Sequence, residues 1–247
     1  MSMFINETKT EVIRVFRNPY FIFGSLVMPI VFYIIFTKVV NQGLEDAGLW
    51  NKHFLMSIAT FSIMGSAILT LGLRMIQERN EGWTTYLRVT PLPSAVHFIA
   101  KMIGQSTVHA LTILMIFLSG VIINGVSMTA VEWILCGVWI LLGSIPFLAL
   151  GVLVGTMQKV DLASSVSNIL YILLAITGGM WMPMEVLPKA IQAIGTWLPA
   201  YHYGSGAWAI IRGDIPGYKN ILILLVYLLL FMVLSTYRRR KQDVVKW

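Results

Sequence analysis

Charge is what this sequence has least of. Lys, Arg, Asp and Glu together make 12% of its 247 residues, about half the roughly 25% found in soluble globular domains, and the mean hydropathy is +0.77. That shortage excludes an ordinary water-soluble fold. A single cysteine, Cys136, lies inside an apolar run, so no intrachain disulfide forms and the thiol serves packing. The G-x-x-x-x-G-K-[ST] pattern that cradles nucleotide phosphates is missing, so no P-loop and no ATPase of the chain's own is expected. His53, His97, His109 and His202 are scattered without H-E-x-x-H or paired-ligand spacing, and zinc chemistry is unsupported. No G-x-S-x-G elbow occurs, so Ser57, Ser66, Ser164, Ser165 and Ser167 are assigned to helix packing. Aspartate and glutamate are absent from the long apolar runs, and Lys38, near the end of one, is their only Lys or Arg. Carriers driven by protons or sodium keep an ionisable group at mid-membrane depth. Energy for any transport is therefore expected to arrive from outside this chain.

What is present is apolar length. Six runs approach or exceed the roughly 20 residues that cross a hydrocarbon core: Tyr20–Val40, Phe54–Leu73, Met102–Ile123, Trp133–Met157, Leu162–Met182 and Ile221–Tyr237. They lack the period-two alternation of barrel strands, so their backbone hydrogen bonds are satisfied within helices. The predicted fold is an all-α integral membrane bundle of six spans, forming one permease-sized domain over residues 1–247. Lysine and arginine then set the orientation. Thirteen of the 18 fall on one side of this topology, among them Arg74, Arg79, Arg88, Lys101, Lys159, Arg238 and Lys241, leaving Lys38, Lys52, Lys189, Arg212 and Lys219 on the other. Both termini are predicted to be cytoplasmic. Topology accounts for the net charge of +7, and nucleic acid drops out as a partner.

Ahead of the first run, residues 1–18 place Phe4, Ile5, Thr8, Val12, Val15 and Phe16 on one arc of about 120° with charges opposite. This is the pattern of an amphipathic helix lying on the membrane lipid, broken by Asn18 and Pro19. The first run itself reads as an anchor rather than a cleaved signal. Residues 183–220 are rich in proline and glycine and hold two apolar pieces too short to span, Lys189–Leu198 and Ala207–Arg212. Short half-buried helices on the outer face are predicted there, with Trp181, Trp197, Tyr201, Tyr203, Trp208 and Tyr218 as interfacial aromatics. The pair Gly151 and Gly155 makes one G-x-x-x-G, a helix-packing signal. Pro29 and Pro146 lie within spans, where proline kinks a helix.

The longest cytoplasmic connection is QERNEGWTTYLRVTPLPS, residues 77–94. Helical spacing puts Trp83, Tyr86 and Leu87 on one face; Asn80 is placed to cap such a helix, and Pro91 and Pro93 to end it. Glu78, Arg79, Glu81 and Arg88 surround the aromatics. Such a segment suits docking into a partner's pocket, and it equally suits a solvated loop resting on headgroups.

The order of features resembles the membrane subunit of an ATP-binding-cassette (ABC) transporter of type 2, the exporter-type permease family, over nearly the whole chain. ERNEGWTTYLRVTPLPSAVHFIAK is similar to the family pattern, with Glu78, Arg79, Glu81, Gly82, Leu87, Pro91 and Lys101 in place and Trp83 where relatives commonly carry a small residue or threonine. VLPKAIQAIGTWLPAYHY and IIRGDI resemble the family's segment before the last span, matching at Leu187, Pro188, Pro199 and Asp214. The resemblance implies two cytoplasmic ABC ATPase subunits as partners, carrying the ATP and Mg for which this chain has no cofactor site. It implies a second permease copy or a sister permease, an interfacial elbow at 1–18, and a coupling helix at 77–94. Plasma-membrane placement follows with it.

Cargo is less constrained. The fifth run carries Ser164, Ser165 and Asn168 and is closed by Trp181, the expected substrate-path residues. An amphipathic or lipophilic cargo is expected, a drug, an antimicrobial peptide or a lipid, with a lipid-linked glycan as the alternative. An ATP-independent carrier or channel and a membrane scaffold are the competing classes.

Overall fold

Long apolar runs in this chain become helices because only the α-helix satisfies every backbone group within a single segment. In the computed structural model, which describes residues 8–10, 12–13, 19–39, 47–82 and 94–244, ten α-helices follow one another among the described residues. Helix α1 is Pro19–Ile34, extended by a π-helical turn at Ile35–Val39. Helix α2, Ala47–Gly65, runs through a second π segment, Ser66–Thr70, into α3, Leu71–Asn80. Then come α4 at Ser94–Asn124, α5 at Ala130–Gly143, α6 at Ile145–Val154 and α7 at Val160–Thr177. Two short helices, α8 at Lys189–Gly195 and α9 at Pro199–Ile211, precede α10 at Tyr218–Val244.

Five of these helical stretches are long and apolar enough to cross a membrane: Gly48–Asn80, Ile99–Asn124, Ala130–Val154, Val160–Thr177 and Tyr218–Arg238. The expected first span has only the shorter apolar stretch Val27–Lys38 among the described residues. The second differs most from expectation. It is one helix of 33 residues, Gly48–Asn80, which runs past the charges at Arg74, Glu78 and Arg79 and into the start of the 77–94 connection. Of the expected elbow, residues 8–10 and 12–13 are helical; Phe4, Ile5, Val15 and Phe16 lie outside the described residues.

The fourth run bends where its sequence says it should. Ser144 separates α5 from α6, with its own N–H bonded back to the Leu141 carbonyl, and Pro146 occupies the first turn of α6, where its missing N–H costs nothing. Helix α5 starts on a capping box: the Thr129 hydroxyl accepts from the Glu132 N–H and the Glu132 carboxylate accepts from the Thr129 N–H.

Helix packing in lipid depends on close contact, since apolar burial drives little there. The Gly151–Gly155 stripe supplies it. A Cβ on Gly151 would fall against the Ala67 carbonyl, one on Gly155 would meet Met75, and one on Gly72 would stand 2.7 Å from the Gly151 carbonyl. The α2–α3 rod and α6 therefore touch backbone to backbone.

At the other end, α9 is sunk into the bundle. Tyr203 is 0% and Trp208 5% exposed; the Tyr203 hydroxyl donates to the Ile140 carbonyl at 2.8 Å, and the Trp208 indole donates to Ser57 Oγ at 2.9 Å. Those two rings are core, not the interfacial aromatics expected, because each finds a buried acceptor for its polar atom. Trp197 and Tyr218, at 74% and 76% exposed, keep the surface position.

Gly151→Ala should destabilise the protein by about 1–3 kcal/mol through overpacking. Gly137→Ala should be neutral or slightly stabilising, since its Cβ would meet Phe117 at an ordinary 3.7 Å. Thermal unfolding of the two variants in detergent, followed by size-exclusion chromatography, checks the contrast.

Candidate functional site

The helical spacing of α3 decides where its charges go. Gly72, Met75 and Arg79 recur at intervals of three and four, as do Leu71, Arg74 and Glu78, so the two sets form neighbouring rows of one inward face. The first row lies against α6. The Arg79 guanidinium donates from Nη1 to the Gly155 carbonyl at 3.3 Å and from Nη2 to the Met157 carbonyl. These carbonyls sit at the α6 C-terminus, where the partial negative charge of a helix attracts a cation. The second row faces α4. Glu78, 5% exposed, takes the Lys101 ammonium, 3% exposed, at 2.5 Å, and Arg74 Nε approaches the other carboxylate oxygen at 3.6 Å.

The ion pair joins Glu78, near the end of α3, to Lys101, two turns into α4, and so closes the base of the long connection between the two helices. Glu78 and Arg79, expected to meet a partner, make their observed contacts within the protein, Glu78 buried and Arg79 half-buried. They tie the base of the segment to α4 and α6. Glu81 is exposed, and Gly82, at φ +80°, closes α3 with its N–H on the Arg79 carbonyl at 3.1 Å, a left-handed turn that glycine makes without strain. Asn80, expected to cap a new helix, is the last residue of α3. Trp83, Tyr86, Leu87, Arg88 and Pro91 lie outside the described residues.

Lys101 is one rung of a longer seam that sequence reading missed. His97, Lys101, Gln105 and His109 follow one another every four residues along α4, and all are buried. Gln105 Nε2 donates to Ser66 Oγ at 2.9 Å, at the start of the second π segment. His109 Nδ1 lies 3.2 Å from Ser144 Oγ, whose own proton goes to the Leu141 carbonyl at 2.7 Å. The hydroxyl therefore accepts from Nδ1–H. His109 also corrects the expectation that no ionisable group stands deep in a span: it lies within Ile99–Asn124 and is 0% exposed. The missed signal was the four-residue period of polar residues in an otherwise apolar run.

The expected substrate-path residues do not gather into one site. Ser165 and Asn168 are exposed on α7 beside Ile169 and Leu173, and Ser164 is half-buried. Their polar atoms turn inward to the helix: Ser165 donates to the Asp161 carbonyl and Asn168 to the Ser164 carbonyl, both at 3.0 Å. Trp181 lies beyond the far end of α7, with its ring edge-on to Phe61 at a centroid distance of 5.8 Å.

Residues 44–237 match the model of the ABC-2 family transporter proteins. The chain is also 54% identical over 245 residues to a protein of Bacillus subtilis (strain 168) that carries the provisional name transport permease YvfS, covering 99% of this chain and 100% of that one.

Lys101→Met leaves the Glu78 carboxylate buried without its ammonium, and loss of one partner of a buried pair costs about 3–5 kcal/mol. The double variant Glu78→Gln with Lys101→Met should recover most of the lost thermal stability in detergent. Additive losses would show that the two side chains are not coupled.

Proposed function

The chain belongs to the ABC-2 family of transporter proteins, and on that premise we propose that it is the permease subunit of an ATP-driven exporter in the plasma membrane. The basic end of the bundle, with Arg79, Lys101, Lys159 and Arg238, is its cytoplasmic end. A separate cytoplasmic ABC ATPase, in two copies, docks on the segment after Gly82, with Trp83, Tyr86, Leu87, Arg88 and Pro91 as its contacts. Two permeases, identical or sister chains, share the pathway.

The observation that carries this reading is the buried Glu78–Lys101 pair. A docking segment transmits force only if its base does not yield. Here that base is held to α4 by the ion pair and to α6 by Arg79, while Gln105 and His109 extend the same connection to the π segment and to the α5–α6 bend. Displacement of the segment is thereby delivered deep into the spans, the kind of rigid-body transfer that switches a pathway between two states. The π segment and the bend are the places where helices yield.

The cargo proposed is lipophilic or amphipathic: a drug, an antimicrobial peptide or a lipid. The open face of α7 supports it, since Ser165 spends its hydroxyl proton and Asn168 one amide N–H on their own helix backbone, with Ile169, Ile172 and Leu173 exposed around them. Such a face offers little to a long polar glycan.

The test uses the permease and its ATPase reconstituted together in vesicles. ATP-dependent movement of a fluorescent lipid or an amphipathic dye is expected, with Trp83→Ala lowering transport at least about tenfold, the scale of losing an interface anchor worth more than 1.4 kcal/mol. Transport driven by a proton gradient without the ATPase, or movement of water-soluble sugars alone, contradicts the reading.

A further inference from the structure

Beside the Arg79 clamp, a groove of about 1180 Å³ opens between α6, α7 and α10. Its walls are apolar, built by Leu150, Leu153, Val166, Leu170 and Leu234, and its basic end carries Arg79, Arg238 and Lys241. Arg238 and Lys241 are exposed, so their charges face whatever enters. Asp161, in the first turn of α7, is not part of the lining.

We propose that this groove binds an anionic phospholipid of the leaflet at the basic end of the bundle, its acyl chain along Leu170 and Leu234 and its phosphate against Arg238 and Lys241. Charge complementarity identifies the head: among the described residues, three cations line one end and no acid does. The walls identify the tail. They continue into the exposed apolar faces of α7, at Ile169 and Leu173, and of α10, at Leu230 and Val233, so the occupant arrives sideways from the bilayer. The volume exceeds the roughly 300–1,000 Å³ of ordinary small-molecule pockets, which suits an elongated chain. Arg79 couples the site to the segment base, since it lines the groove while Nη1 and Nη2 hold the end of α6. A lipid seated there would brace the same clamp that the docking segment pulls on. The placement in the cytoplasmic leaflet rests on the orientation proposed above; the headgroup selectivity does not.

Native mass spectrometry of the full chain in detergent, with dioleoylphosphatidylglycerol and dioleoylphosphatidylcholine as probes, tests it. The anionic lipid should be retained preferentially. Arg238→Gln with Lys241→Gln should reduce that preference by about fivefold per charge removed, while Arg238→Lys with Lys241→Arg should keep it. Leu170→Trp should lower retention of both lipids by filling the groove. Equal retention of the two lipids by the unaltered protein, an undiminished preference in the neutral variant, or a lipid-free dimer that occludes the groove overturns the proposal. Labelling of Lys159→Cys with a membrane-impermeant maleimide reports orientation separately, Cys136 being buried. Labelling from the outer side with the lipid preference intact would refute the orientation and leave the lipid site standing.

Discussion

A carboxylate and an ammonium buried together in a helix bundle constrain their neighbours because neither can leave. Separating Glu78 from Lys101 would strand a charge away from water, a state costing several kcal/mol, so the two helices that carry them are held in register at the basic end. Arg79 extends the constraint to a third helix by binding the terminal carbonyls of α6. The connection between residues 78 and 101 thus rises from a fixed base. What a partner does to that connection is felt by α3, α4 and α6 together.

Above the base the same three helices stay joined by different means. Glycines 72, 151 and 155 bring the α3 and α6 backbones into direct contact, and polar residues at four-residue intervals on α4 reach Ser66 and then Ser144. Each hydrogen bond within a span is of modest strength, about 0.6 kcal/mol on average; their value lies in being directional and consecutive. At the opposite end, α9 is fastened by Tyr203 and Trp208. Helices α7 and α10 are the most open members, with 22% and 11% of their spans buried; α10 nevertheless packs closely along α6, and the outer faces of the two helices stay uncovered.

Much of this was legible in the sequence, and the failures have a common cause. Helix class, the membrane-crossing runs and the Gly151–Gly155 contact follow from apolar length and the small-residue pattern, which depend on local chemistry alone. The end of the second span did not, because Arg74, Glu78 and Arg79 look solvent-bound until their partners are known. Charge marks a boundary only when it faces water, and Glu78 faces Lys101. The same blindness placed Tyr203 and Trp208 at an interface: a buried carbonyl or serine that accepts from an aromatic donor lies tens of residues away in the chain. The α4 seam was readable in principle, since His97, Lys101, Gln105 and His109 declare their common face by spacing, but only when polar residues in a span are examined for period as apolar ones are. The residues from Trp83 to Pro91 carry the partner-binding expectation, and they rest on family resemblance and sequence pattern.

The central claim is that the base of the docking segment moves as one body with the ends of α3 and α6. Spin labels at Asn80 and Gln158, both exposed, measured by double electron–electron resonance in the assembled transporter with and without ATP, test it most directly. The account predicts an unchanged distance distribution between these two sites while labels across the permease pair shift. A distance that changes with nucleotide would show that the clamp opens during the cycle and would contradict it.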